Sequence, residues 1–123
     1  MVLLGFTKLK DKLLDGSKTQ TIRKPRKIPL KVGDKLYIYW KLRTKQCQKL
    51  GEAKVTDVVR KRFRDITEED AIRDGLSTLQ EFRQLFLKMH KDVLYTDTSG
   101  IIQEIYPYVG FDIITFKWIK KEA

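Results

Sequence analysis

Residues 15–23 read Asp15-Gly16-Ser17-Lys18-Thr19-Gln20-Thr21-Ile22-Arg23, and Val32-Gly33-Asp34 follows shortly after. Gly16 suits the left-handed position that ends a helix, so a short helix over Lys8–Asp15 is expected before it, capped by Thr7. Leu9 and Leu13 are four apart and share its buried face, with Leu14 beside them. A strand over Ser17–Arg23 is expected after Gly16. In a regular strand Thr19, Thr21 and Arg23 point one way and Lys18, Gln20 and Ile22 the other. A turn or bulge after Gly16 would bring Lys18 to the side of Thr21. An amine, a hydroxyl and a guanidinium then cluster between apolar stretches.

The elements around this cluster follow from local pattern. Val2–Phe6 is a short apolar strand. Lys24-Pro25-Arg26-Lys27-Ile28-Pro29 is a loop, since two prolines remove backbone donors. Val32-Gly33-Asp34 is a tight turn. Leu36-Tyr37-Ile38-Tyr39-Trp40 is a β-type run. A polar, basic connection over Lys41–Lys49 leads to a strand over Gly51–Val59, with Ala53, Val55 and Asp57 on one face. Arg60–Arg64 holds four basic residues around Phe63, as a charged sheet edge or as polyanion surface.

The composition then changes sign. Thr67 with Asp70 caps a helix whose first turn is acidic, where the helix dipole favours negative charge. Gly75 ends it. Ser77 with Gln80 is expected to cap a second helix, whose Leu79, Phe82, Leu85, Phe86 and Met89 recur at helical spacing as a core stripe. Lys91–Tyr108 is the least regular segment: Tyr95–Gly100 reads as a turn and Ile101–Tyr106 as a short helix or strand, while Pro107 opposes a continuous helix. Val109–Ile119 is a final strand and Lys120–Ala123 a frayed tail. Early and late strands with helices between them give an α+β fold whose terminal strands are expected to pair.

The chain has 123 residues and 41% hydrophobic content, which suits one domain over 1–123 with its own core. No apolar run is long enough for a membrane span, and the brief Met1–Phe6 start lacks a cleavage-site pattern. The one cysteine, Cys47, excludes an internal disulfide and fits a reducing cytoplasm. Neither Cys47 nor the lone His90 can complete a metal set, so no metal and no cofactor are expected. Lys18–Arg64 carries 16 basic and three acidic residues, while the remainder carries 10 and 13. So local an excess favours a polyanion, RNA or a nucleotide, over a merely solvated Lys-rich surface.

Three blocks in order resemble a known family. Gly16-Ser17-Lys18-Thr19-Gln20-Thr21-Ile22-Arg23 is similar to the G-x-K-x-x-T-I-R signature of the ASCH domain. Val32-Gly33-Asp34 resembles its hydrophobic-Gly-Asp turn, and Asp65-Ile66-Thr67-Glu68-Glu69-Asp70-Ala71 with Asp74-Gly75 resembles its later helix signature. The agreement runs over roughly residues 13–86. The resemblance implies a PUA-like small mixed β-barrel with helices packed at one side and a cleft between them, of the small stand-alone prokaryotic or archaeal type. ASCH domains were proposed as RNA-binding modules. Some small members hydrolyse acetylated cytidine nucleosides, and others have been linked to RNA cleavage. In the amidohydrolase-like members three motif positions are assigned to catalysis, and they fall here on Lys18, Thr21 and Asp74. The third is a glutamate there, so Asp74 is one methylene shorter.

As a binding site, Lys18 and Arg23 hold a phosphate or carboxylate, with Lys24, Arg26, Lys27, Arg60, Arg62 and Arg64 as further backbone contacts and Tyr37 as a stacking ring. As a catalyst, Thr21 is the nucleophile, a desolvated Lys18 its base and Asp74 a proton shuttle to the departing amine. As plain structure, Asp74 pairs with Arg73 or Arg23 and Lys18 is solvated. The expectation is RNA or nucleotide binding at this cluster, with the hydrolase as alternative.

Overall fold

In the computed structural model, residues 2–106, 108 and 110–122 are described. The expected strand start at Val109, the break at Pro107 and the chain ends at Met1 and Ala123 lie outside them. The strands are β1 (Val2–Phe6), β2 (Gln20–Arg23), β3 (Lys35–Trp40), β4 (Gln48–Lys61), β5 (Leu94–Thr96), β6 (Ile102–Glu104) and β7 (Phe111–Lys121). The helices are α1 (Lys10–Asp15), α2 (Glu68–Arg73) and α3 (Leu79–Met89), with a single 3-10 turn at Phe63–Asp65. Among the described residues no helix is long and apolar enough to cross a membrane.

Five strands form a curled half-barrel in the order β1-β3-β4-β7-β2, and β5 and β6 form a separate hairpin. The terminal strands do not pair, contrary to the sequence expectation. β1 runs parallel to β3 at one edge, while β7 is antiparallel to both β4 and β2. The reason lies in β7 itself. Phe111, Ile113, Ile114 and Phe116 are all buried, and they serve two cores on opposite faces. A strand buried on both sides belongs inside a sheet, not at its edge. Asp112 is buried as well, and Arg60 Nε donates to its Oδ1 at 2.6 Å.

The first core lies on one face of the sheet, where Leu4, Phe6, Leu13, Leu36, Ile38, Leu50 and Val55 meet Ile114 and Phe116. The second lies between the other face and helices α2 and α3, where Ile22, Phe63, Ile66, Phe82, Phe86, Phe111 and Ile113 pack together. Each such side chain contributes about 1.5–3 kcal/mol on burial. The 14-residue β4 pairs with β7 through two irregularities of register. Just before the first, Gly51 has φ 151°, and a Cβ there would stand 2.1 Å from the Lys120 carbonyl oxygen, so only glycine lets β7 approach. At the second, Thr56 is the extra residue, and Asp57 turns out to solvent instead of continuing the Ala53–Val55 face.

Local signals hold with small shifts. Gly16 takes φ 87° at the end of α1, but that helix starts after Leu9 in a left-handed conformation, without the Thr7 cap. Thr67 and Asp70 form the reciprocal capping box. The α3 cap is Thr78, whose hydroxyl accepts from Glu81 N, one residue past the expected Ser77. The segment expected as a turn and a helix or strand is the β5–β6 hairpin. The tail is ordered through Glu122, whose N–H donates to Leu50 O at 2.8 Å.

Candidate functional site

The site is built where α2 ends against the start of β2. The last carbonyls of a helix lack partners within it and carry its negative dipole end. Here the chain just before and within β2 supplies the donors. Gln20 Nε2 donates to Asp70 O at 2.9 Å and Thr19 N to Arg73 O at 3.1 Å. Lys18 Nζ donates to Asp74 O at 2.5 Å and to Asp74 Oδ1 at 2.6 Å. Lys12 Nζ reaches Gly75 O at 2.5 Å. Lys18 precedes the first strand residue, so strand parity does not govern it, and it shares a cleft with Thr21.

Lys18, Thr21 and Asp74 are 4%, 3% and 6% exposed. Asp74 pairs with Lys18, while Arg73 pairs with Glu69, so the purely structural pairings expected for Asp74 are not formed. Burial pushes the Lys18 amine below its ordinary pKa, against the pull of Asp74. Burial likewise pushes the Asp74 carboxyl up, against Lys18, the Ile22 backbone N–H and Arg23. Both shifts favour the uncharged forms. Arg23 Nε donates to Thr21 Oγ1 at 3.1 Å, and an Arg23 terminal nitrogen donates to Gly5 O at 2.6 Å. Its guanidinium lies 4.8 Å from the Phe6 ring centroid. Burial brings its pKa down to about 10, which leaves it charged at neutral pH.

These groups line a cleft of about 580 Å³ between β1, β2 and α3. Phe6, Leu85, Phe86 and Met89 give it an apolar wall; Lys8, Lys24 and Arg26 add cations. Lys24 pairs with Asp92 across the mouth. His90 also lines it, and burial, then the Lys24 charge, holds its pKa below the usual value.

The structure thus brings together Lys18, Thr21, Arg23, Lys24, Arg26 and Asp74. Lys27 is exposed on the same loop outside the lining. Tyr37, Arg60, Arg62 and Arg64 do not line the cleft. Tyr37 is half-buried, with Lys35 and Lys49 each 5.3 Å from its ring, and Arg60 is tied to Asp112. Sequence reasoning missed Phe6, Leu85, Phe86, Met89 and His90 as site residues. The stripe on α3 was assigned wholly to core, yet Met89 is 50% exposed at its end. A flexible thioether followed by the chain's one histidine was the available signal. Among the described residues no three His, Cys, Asp or Glu side chains gather to hold a metal ion.

No family model matches the chain, and no curated protein matches it. Among solved structures it is similar to the crystal structure of protein EF3133 from Enterococcus faecalis V583, of family DUF984. The TM-score is 0.62 at 18% identity, over 92% of this chain and 71% of that one. At this identity the likeness shows a shared mixed α+β fold around a curled half-barrel sheet, and the fold alone.

Proposed function

We propose that this chain is an ASCH-type, PUA-like domain that binds RNA or a nucleotide, with one base held in the cleft between β1, β2 and α3. The observation that carries this reading is the cleft's mixed lining: apolar and aromatic side chains together with buried polar groups and cations. Its volume falls in the range of small-molecule sites. A nucleobase is flat and apolar on its faces, polar at its edges, and joined to an anionic backbone. Phe6 and Phe86 suit the faces, Thr21 and Asp74 the edge, and Lys24 and Arg26 the phosphate. A nuclear magnetic resonance titration with cytidine monophosphate and with a short uridylate oligomer tests this. The Gly5, Thr21 and Ile22 amides should shift, and affinity should fall by roughly tenfold or more between about 50 and 200 mM salt. K24Q/R26Q should reduce the salt dependence. Absent binding at low salt, or binding indifferent to salt, overturns the reading.

A second reading is supported by the desolvated Lys18–Asp74 pair. Transfer of the Lys18 proton to Asp74 leaves a neutral amine and a neutral acid in the same cleft as the Thr21 hydroxyl, whose oxygen already accepts from Arg23. The amine can take the Thr21 proton as its oxygen attacks an acyl carbon. Asp74 can then protonate the departing amine, and water releases the acyl group from Thr21. Acetate release from an N-acetylated cytidine should then occur, and fall at least about a hundredfold in Thr21→Val. No release by the wild-type protein removes this reading and leaves the binding one standing.

A further inference from the structure

Two small hollows adjoin on the flank of α3 away from the cleft. One, of about 170 Å³, is lined by Arg64, Gln80, Arg83 and Gln84 beside the β5–β6 hairpin. The other, of about 240 Å³, is lined by Arg62, Arg64, Gln103, Tyr106 and Tyr108. Phe63, Arg64 and Ile102 border both, so they form one groove. Gln80, Arg83 and Gln84 are spaced three and four apart and share one helix face. Leu85, Phe86 and Met89 present the other flank to the cleft.

The groove's cations differ from their neighbours. Arg60, Lys61 and Arg73 each have a carboxylate partner. Arg62, Arg64 and Arg83 have none within ion-pair distance among the described residues, although Arg83 is partly buried. A guanidinium without a counter-charge keeps its N–H fork free for an anion. Glu104 lines only the second hollow, and its carboxylate accepts from Gly110 N at 2.7 Å. Among the described residues, the Arg64–Arg83 end has no carboxylate in its lining. Independently, the Tyr108 hydroxyl is buried with no partner among the described residues. Burial raises its pKa, so it remains a donor in need of an acceptor. Tyr106, 92% exposed, stands at the rim.

We propose that this groove is a second anion site, separate from the cleft, which takes phosphate groups of an RNA backbone. Arg64 and Arg83 hold a phosphate through their planar N–H forks, and the amides of Gln80 and Gln84 complete its donors. The phosphate takes the groove, and a base stacks outside on the exposed Tyr106. The proposal does not require the cleft to be occupied.

The test is a titration of the full chain with a uridylate oligomer of about ten nucleotides at about 50 mM salt. Cytidine, which has no phosphate, serves as the cleft probe. The Arg64 and Arg83 Nε–H signals and the Gln80 and Gln84 side-chain amides should shift with the oligomer and not with cytidine. R64Q/R83Q should weaken oligomer binding about tenfold and flatten its salt slope by about 1.4, as two lost single-strand phosphate contacts require. K54Q/K117Q removes the same charge from two exposed lysines that face each other across β4 and β7, and should change both far less. Groove signals that stay still at saturation, or an equal loss in the lysine control, overturn the proposal. Groove shifts with silent Thr21 and Ile22 amides uphold it while refuting the cleft reading. Silence at both places refutes both.

Discussion

Asp74→Ala is expected to lower the unfolding free energy by about 3–5 kcal/mol, because it leaves the Lys18 ammonium buried without its counter-charge. The two side chains meet at 2.6 Å across 56 positions of sequence, and both are almost fully enclosed. The paired replacement Lys18→Met with Asp74→Leu should cost far less than either single change, since it removes both charges together. The pH dependence has a definite sign. Between the lowered Lys18 pKa and its ordinary value, the unfolded chain holds a proton that the folded chain does not, so this group's contribution to stability rises with pH. Between the ordinary Asp74 pKa and its raised value, the folded chain holds the extra proton, so that contribution falls as pH rises. The Asp74→Ala deficit should therefore shrink under alkaline conditions, as Lys18 gives up its proton. Urea unfolding across pH measures all three variants. A small, pH-independent loss in Asp74→Ala would show that the pair is not the buried contact described.

Arg23→Met is expected to cost about 2–3 kcal/mol, as hydrogen bonds from a charged donor contribute about 1.5–3 kcal/mol each. β1 and β2 are the two edges of the half-barrel and, among the described residues, make no ladder with one another. The Arg23 guanidinium spans the gap, donating to Gly5 O on one strand and to Thr21 Oγ1 on its own. Its loss frees the Gly5 carbonyl and removes a cation from the Phe6 face. Hydrogen exchange should quicken in β1 more than in β4, which keeps both neighbours. Any ligand of the cleft should bind at least about tenfold more weakly, since wall geometry and charge are lost together. Unchanged exchange in β1 would refute the bridging role.

What the sequence made legible was local. The Thr67–Asp70 box, the left-handed Gly16 and the run at Leu36–Trp40 depend on neighbours within a few positions, and each is present. Strand order was not legible. The final strand is expected from its local pattern, but that pattern does not place it at the centre of the sheet, where its first four residues are all buried, against two cores. The β5–β6 hairpin was ambiguous because strands of three residues carry too little periodicity. The cluster of Lys18, Thr21 and Arg23 with Asp74 was named from motif spacing, and the cleft gathers all four. The Arg60–Arg64 group was placed with them by charge alone. Charge does not state direction, and Arg62 and Arg64 lie along the groove beyond α3.

The central position of β7 bears on how the protein comes off the ribosome. β2 finds its strand partner, among the described residues, only in β7, which emerges nearly a hundred residues later. Until then a nascent chain has β4 and β2 with unmet backbone groups, and neither apolar layer is filled. Such intermediates attract chaperones and other chains. The nascent molecule therefore acquires its cleft and its stability in the same late step, when the last strand slides between two waiting partners.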